Sequence, residues 1–260
     1  MILTPEQLQE NWDKLLNYIP QHISEPRASQ LTELYKNNEE YFIFAPASSK
    51  KEFHGCWAGG LVYHFISVIV NSLSLYEIWK SKGANLDTFT VEELVFSALN
   101  HDLGKKDAYI PSTDKWRQEK LGELYTFNTE LPFASVPDRS LFILQQEGIK
   151  YSFNEMIAIQ THDGLYDEAN KKYLQGFLPE QKPRTCLPYI LHQADIMAAR
   201  IEFEMEHIEL LNPNKPSITA TEKKETFKLE VKKPSIKQKA LNSTNSGINS
   251  NNLMNLLNDL

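Results

Sequence analysis

The sequence predicts an all-α fold, a helical bundle followed by a flexible C-terminal tail. Three observations carry that expectation. Side chains that cap helix starts recur along the chain, the apolar residues behind them repeat at the spacing of one helix face, and no stretch alternates apolar with polar residues as a half-buried strand would. Helices are expected over residues 5–19, 25–37, 57–82, 91–103, 114–123, 137–147, 153–162 and 185–211.

Thr4 is placed to cap the first helix, with Pro5 at N1, where a missing N–H costs nothing, and Leu8, Trp12, Leu15, Leu16 and Ile19 as its apolar stripe. After the second helix, Gly59-Gly60 leads into the third, which runs from Leu61 through His64, Val68, Leu75 and Trp79 to Gly83 at C′. This segment is apolar nearly all round, the pattern of a helix buried in a core. Thr90-Val-Glu-Glu93 is a capping box, the Thr hydroxyl and the Glu carboxylate each satisfying an orphan amide at the start of the fourth helix. Leu94, Val95, Ala98 and Leu99 follow at helical spacing, and Gly104 is expected to stop the helix in the left-handed region. That puts His101 and Asp102 in the last turn, with Lys105 and Lys106 beside the negative end of the dipole. Beyond the helices over 114–123 and 137–147, Ser152-Phe-Asn-Glu155 is a second capping box, and Met156, Ile157 and Ile159 carry a short helix to Thr161-His162-Asp163-Gly164. The last long helix begins near Cys186 and ends at Leu211. Long, Pro-bearing loops, Glu123 to Val136 and Gly164 to Arg184, connect these later elements. Their aromatics, Tyr125, Phe127, Tyr166, Tyr173 and Phe177, either pack on the domain or stack on a base.

The polar groups on apolar faces are the informative residues. His64 shares a face with Leu61, Val68 and Leu75, where a backbone carbonyl, a buried water or a metal would satisfy it. His192 and Asp195, at i and i+3, project from one side of the last long helix. An Asp among Ile, Met and Ala is costly to bury unless it is bound to a cation or paired, for instance with Arg200. The bare His-Asp dipeptide is a weak signal, since it occurs at both His101-Asp102 and His162-Asp163. Three helices that each carry an ionisable group on an apolar face nevertheless point to one shared cation.

In this order of residues the chain resembles the HD-domain superfamily of metal-dependent phosphohydrolases, in which a first His, an adjacent His-Asp pair and a final Asp come from successive helices. The stretch Phe53-His54-Gly-Cys-Trp-Ala-Gly-Gly-Leu61-Val-Tyr-His64 looks like members with a Gly-Gly-Leu-x-x-His opening, among them bacterial exonuclease-type and conjugation-associated proteins. The resemblance implies His64, His101, Asp102 and Asp195 as metal ligands, with Asp102 also taking part in catalysis. Lys105, one turn beyond the pair, is a candidate for stabilising charge on a phosphate, or else meets only the helix dipole. His162 and His192 are implied as ligands for substrate phosphate or a second metal, or as groups that orient a ligand, and His54 is a candidate for the same mouth. Two imidazoles and two carboxylates form a mixed N/O set suited to Mn²⁺, Mg²⁺, Fe²⁺, Co²⁺ or Ni²⁺, one ion or two. Cys56 and Cys186 stand singly and far apart, which argues against a structural zinc knot.

The expected organisation is a helical extension over 1–50 packed on the core, an HD-type catalytic domain over 51–211, and a tail over 212–260. The hydrophobic fraction of 41% is ordinary for a folded domain, no signal peptide is visible, and no uninterrupted apolar run spans a bilayer, so a cytoplasmic location is expected. From residue 212 the chain turns rich in Lys, Ser, Thr, Asn and Pro, and residues 253–260 recover an apolar stripe that either docks on a protein partner or folds back on its own domain. A net charge of −7 weakens attraction to a nucleic-acid backbone, although residues 223–239 are locally basic, and favours a small phosphorylated substrate. The expected activity is hydrolysis of a phosphoester or phosphoanhydride bond in a nucleotide by metal-activated water. A 3′–5′ exonuclease is the alternative activity, and an HD fold without turnover that recruits a partner is the alternative role.

Overall fold

A computed structural model describes residues 2–211. Its helices are α1 (Pro5–His22), α2 (Arg27–Asn37), α3 (Glu39–Phe44), α4 (Gly60–Ser81), α5 (Val91–Asn100), α6 (Val136–Gln146), α7 (Phe153–Thr161), α8 (Lys171–Leu174), α9 (Leu187–Glu206) and α10 (Ile208–Leu211). The fold is all-α, and side chains cap the starts of α1, α5, α6 and α7. Thr4, Thr90 and Ser152 each close a capping box, with Gln7, Glu93 and Glu155 reaching back to the cap amide.

Helix α4 is the centre. It packs along α9 and α5, and α1 and α3 cover its remaining faces. Its 22 residues are long and apolar enough to cross a membrane by length and composition, a length the sequence reading did not credit, and 56% of its most apolar window is buried in the bundle. An aromatic cluster locks the N-terminal helices onto this core. Phe42 of α3 lies against Trp12 of α1 and Tyr35 of α2, at 6.4 and 5.0 Å between ring centroids, and Tyr35 meets Phe65 of α4 edge-on. Residues up to Glu206 therefore form one compact unit that includes α1–α3. Helix α10 belongs to a second unit that begins at His207.

One polar clamp sits inside this packing. Arg27 of α2 donates to Glu155 of α7 at 2.8 Å, pairs with Glu92 of α5, and lies over the ring of Phe96, 4.4 Å from its centroid. Three helices are tied by a single guanidinium.

The helix expected over 114–123 is present over residues 115–121, and a hairpin that was not expected flanks it. Strands β1 (Tyr109–Pro111) and β2 (Tyr125–Phe127) pair antiparallel on either side of it, with Ile110 opposite Thr126, and its residues Arg117–Leu121 are π-helical. Strands of three residues are too short for period-2 alternation to stand out, and aromatic and β-branched residues such as Tyr109, Ile110, Tyr125 and Thr126 favour them. Helices α3 and α8, six and four residues long, also escape a periodicity reading. The tail over 212–260, with its basic stretch and its terminal stripe, lies outside the described residues.

Candidate metal centre

The site is assembled by tight local packing around α4, α5, α6, α7 and α9. His64 lies one turn into α4, whose start is fixed by backbone contacts. Leu61 N–H donates to Ala45 O at 3.0 Å, and a Cβ on Gly60 would fall 2.1 Å from Gly55 O, so only glycine admits this approach. His101 and Asp102 follow the last residue of α5 and pass into a 3₁₀ turn over Leu103–Lys105. Gly104 does not stop the helix in the left-handed region, as expected; its φ is negative. It is glycine because α6 comes close: a Cβ there would sit 2.0 Å from Val136 O. Ser140 of α6 accepts from Gly104 N–H at 2.7 Å and donates to His101 O at 3.0 Å, which clamps the His-Asp turn from behind.

Four ligand atoms meet in front of that clamp. His64 Nε2 lies 3.0 Å from Asp195 Oδ1 and 3.4 Å from His101 Nε2. Asp102 Oδ2 lies 3.4 Å from His101 Nε2 and 3.7 Å from His64 Nε2, and His101 Nε2 is 3.8 Å from Asp195 Oδ1. Adjacent ligands of an octahedral ion with bonds near 2.1 Å stand about 3.0 Å apart, so modest inward movement suffices for coordination. The tautomers suit it as well. A carbonyl can only accept, so His101 Nδ1 carries the proton it donates to Ala98 O at 2.8 Å, and its Nε2 lone pair is left for the site. His64 Nδ1 faces the Glu202 carboxylate at 3.1 and 3.3 Å, which likewise reserves Nε2.

His162, at the end of α7, joins from the far side. Its Nδ1 donates to Ile159 O at 2.8 Å, and its Nε2 lies 3.6 Å from the second oxygen of Asp102. Asp102 thus faces His64 and His101 with one oxygen and His162 with the other. Two ligand triplets share His101: one with His64 and Asp195, the other with Asp102 and His162. A third joins His162 to Asp163 and Asp195, and a fourth joins His54 to His64 and Glu202.

The remaining histidines divide. His192 belongs to none of the ligand groups among the described residues; its Nδ1 donates to His162 O at 2.6 Å, and its ring fills the space beside Gly164 where a Cβ would come within 2.0 Å. It buttresses the backbone that carries His162. His54 does reach the centre: its ring centroid is 4.6 Å from that of His64, and its buried Nε2 has no protein partner. Sequence reasoning missed Glu202 and assigned nothing to Asp163. Glu202 lies two turns beyond Asp195 on α9, and that spacing on an apolar helix was the available signal.

Electrostatics follow from the carboxylates. Burial alone would raise Asp102 and Asp195, but Lys105 and His101 hold Asp102, and His64 and His101 hold Asp195, well below the usual carboxylate range. Burial likewise opposes charge on His64 and His162. Glu202 and Asp195 override it at His64, pushed up to about 10, and Asp102 and Asp163 override it at His162, pushed up to about 9. His54, desolvated and beside His64 and Lys105, is pushed down to about 3 and stays neutral. The buried carboxylates thus favour positive charge on the groups around them.

A cleft of about 530 Å³ opens onto Asp102, His162 and Asp195. Lys105 Nζ sits 2.6 Å from Asp102 Oδ2 at its floor. Arg200 lines the cleft but does not neutralise Asp195: it donates to Glu204 at 2.8 Å and lies over Phe203. Tyr166, 87% exposed, stands at the mouth, whereas Tyr173 faces a separate cavity beside Phe153 and Phe177 projects outward. The donor chemistry fits a divalent ion: imidazoles whose Nδ1 is engaged elsewhere so that Nε2 faces the site, ionised carboxylates, and no thiolate among the clustered groups. Comparison with known proteins returns no relative: no family model, no curated protein and no solved structure matches the chain.

Proposed function

We propose that this chain is a divalent-metal-dependent phosphohydrolase of the HD type acting on a nucleotide. One observation carries the reading: His64 of α4, His101 and Asp102 at the end of α5, and Asp195 of α9 bring ligand atoms together from three helices, each His turning its Nε2 toward the others. When bound, a divalent ion such as Mn²⁺, Mg²⁺, Fe²⁺, Co²⁺ or Ni²⁺ supplies a Lewis acid for a phosphoryl oxygen and lowers the pKa of a coordinated water.

The chain's own groups do the rest. Asp102, between the His64–His101 side and His162, accepts a hydrogen bond from the attacking water and orients it. Lys105 lends its ammonium to the non-bridging oxygens that gain charge during in-line displacement. His162 turns its Nε2 toward the same phosphate. Arg200 at the rim pairs with a further phosphate, and Tyr166, Phe53 and Phe203 offer apolar surface to a base. The net charge of −7 favours a mononucleotide over a long polyanion.

The test is metal content of the purified protein followed by phosphate release from a nucleotide panel, with His101→Ala and Asp102→Ala as controls. Metal-dependent release that both substitutions abolish supports the reading. Metal without release from any nucleotide sinks it in favour of a partner-recruiting module, and faster degradation of a single-stranded oligonucleotide than of any mononucleotide replaces it with an exonuclease.

A further inference from the structure

The buried carboxylate of Glu202 has no place in the chemistry above. Its residue is 1% exposed, on the face of α9 that packs against α4. Burying a carboxylate in an apolar contact is costly, and two well-packed apolar residues would hold the same helices together at least as well. Stability of the helix pair therefore does not account for it. Both of its oxygens face one atom, His64 Nδ1, at 3.1 and 3.3 Å, while the Nε2 of the same ring points to Asp195 and His101.

We infer that Glu202 is a positioning residue for the metal centre: it fixes the tautomer and ring orientation of His64 and makes its Nε2 a stronger donor to a cation. His101 and His162 are oriented by backbone carbonyls of their own helices, Ala98 O and Ile159 O, which are fixed in place by the helix itself. His64 lies within α4, where the carbonyl one turn back is engaged in the helix ladder. It has to take its acceptor from another element, and α9, which also carries Asp195, supplies it. An anionic acceptor also polarises the imidazole more than a neutral carbonyl does.

The inference rests on the metal reading of the site, and the experiment separates the two. Mn²⁺ affinity is measured by isothermal titration on the full-length wild type, E202Q and E202A, with thermal melting of the metal-free proteins alongside. E202Q keeps an acceptor of similar size but loses the charge. It is expected to weaken Mn²⁺ binding about 10- to 100-fold while folding normally. E202A, which leaves His64 Nδ1 without its acceptor, should bind more weakly still, and E202D should recover part of the loss. In Zn²⁺-loaded wild type, ¹⁵N–¹H spectra should show the His64 proton on Nδ1 in a strong hydrogen bond, shifted upfield in E202Q. Wild-type affinity in folded E202Q overturns this inference alone. Failure of the wild type to take up Mn²⁺ overturns the metal reading and this inference with it.

Discussion

If an ion binds at His64, it must displace a proton, and the size of that competition can be worked out. The Glu202 and Asp195 carboxylates hold His64 protonated up to about 10, against an ordinary 6.5. At pH 7.5 the ring lies well below its pKa, so baring Nε2 costs about 3 kcal/mol. Each unit of rising pH removes about 1.4 kcal/mol of that cost, so Mn²⁺ should bind about tenfold more tightly per unit between pH 6.5 and 8.5. The assay is calorimetric titration of metal-free protein with Mn²⁺ in two buffers of different ionisation enthalpy. An ion held by His64, His101 and Asp195 should release about one proton at pH 7.5. A second ion on His101, Asp102 and His162 should release about one more, since His162 is pushed up to about 9. Saturable uptake without proton release, or an affinity flat from pH 6.5 to 8.5, would refute the reasoning.

Stability without metal should follow the same groups. Asp195 is depressed in the folded state, so its contribution is full above about pH 4 and is lost as pH falls below that; His64 is raised, so its contribution is full below about pH 6.5 and fades as pH climbs toward 10. Urea midpoints of the metal-free protein should therefore peak between these limits, and a midpoint unchanged down to pH 2 would contradict the assignment. Arg27→Ala leaves the fully buried Glu155 without its cation and should cost about 3 kcal/mol in urea unfolding, with Mn²⁺ affinity unaltered. Gly104→Ala forces a methyl against Val136 O and should lose about 1–3 kcal/mol together with metal uptake, because the turn it displaces carries His101 and Asp102. Lys105→Ala should retain metal but lower kcat about 100-fold, and loss of metal binding instead would make Lys105 a structural partner of Asp102.

The fold was legible where local chemistry is strong. Capping boxes at Thr90 and Ser152 mark their helix starts directly, because the cap and its return carboxylate are both local in sequence. The β1–β2 hairpin was illegible for the opposite reason: its pairing, Tyr109 with Phe127, joins residues far apart, and neither strand is long enough to announce itself. The same division runs through the site. His64, His101, Asp102 and Asp195 were readable as polar residues on apolar helix faces, and the structure brings them together. His192 shared that pattern, yet its target is a backbone carbonyl, which no side-chain pattern can reveal. Gly104 was read for its conformation when the demand on it is space, set by α6 more than thirty residues later. Arg200 was the obvious partner for Asp195 by proximity in sequence, but helical geometry turns it to Glu204, four residues on.

Helix α9 carries Asp195 into the ligand cluster, Glu202 onto His64 and His192 onto the carbonyl of His162. All three are mounted on one rigid rod, so the centre cannot be loosened piecemeal from that side. Its bearing surface includes Ala198, 1% exposed, midway between Asp195 and Glu202. A larger side chain at that spot, though it touches no cation, would tilt the whole rod and spoil three alignments at once. Tolerance to sequence drift along the buried flank of α9 should be as narrow as at the ligands themselves.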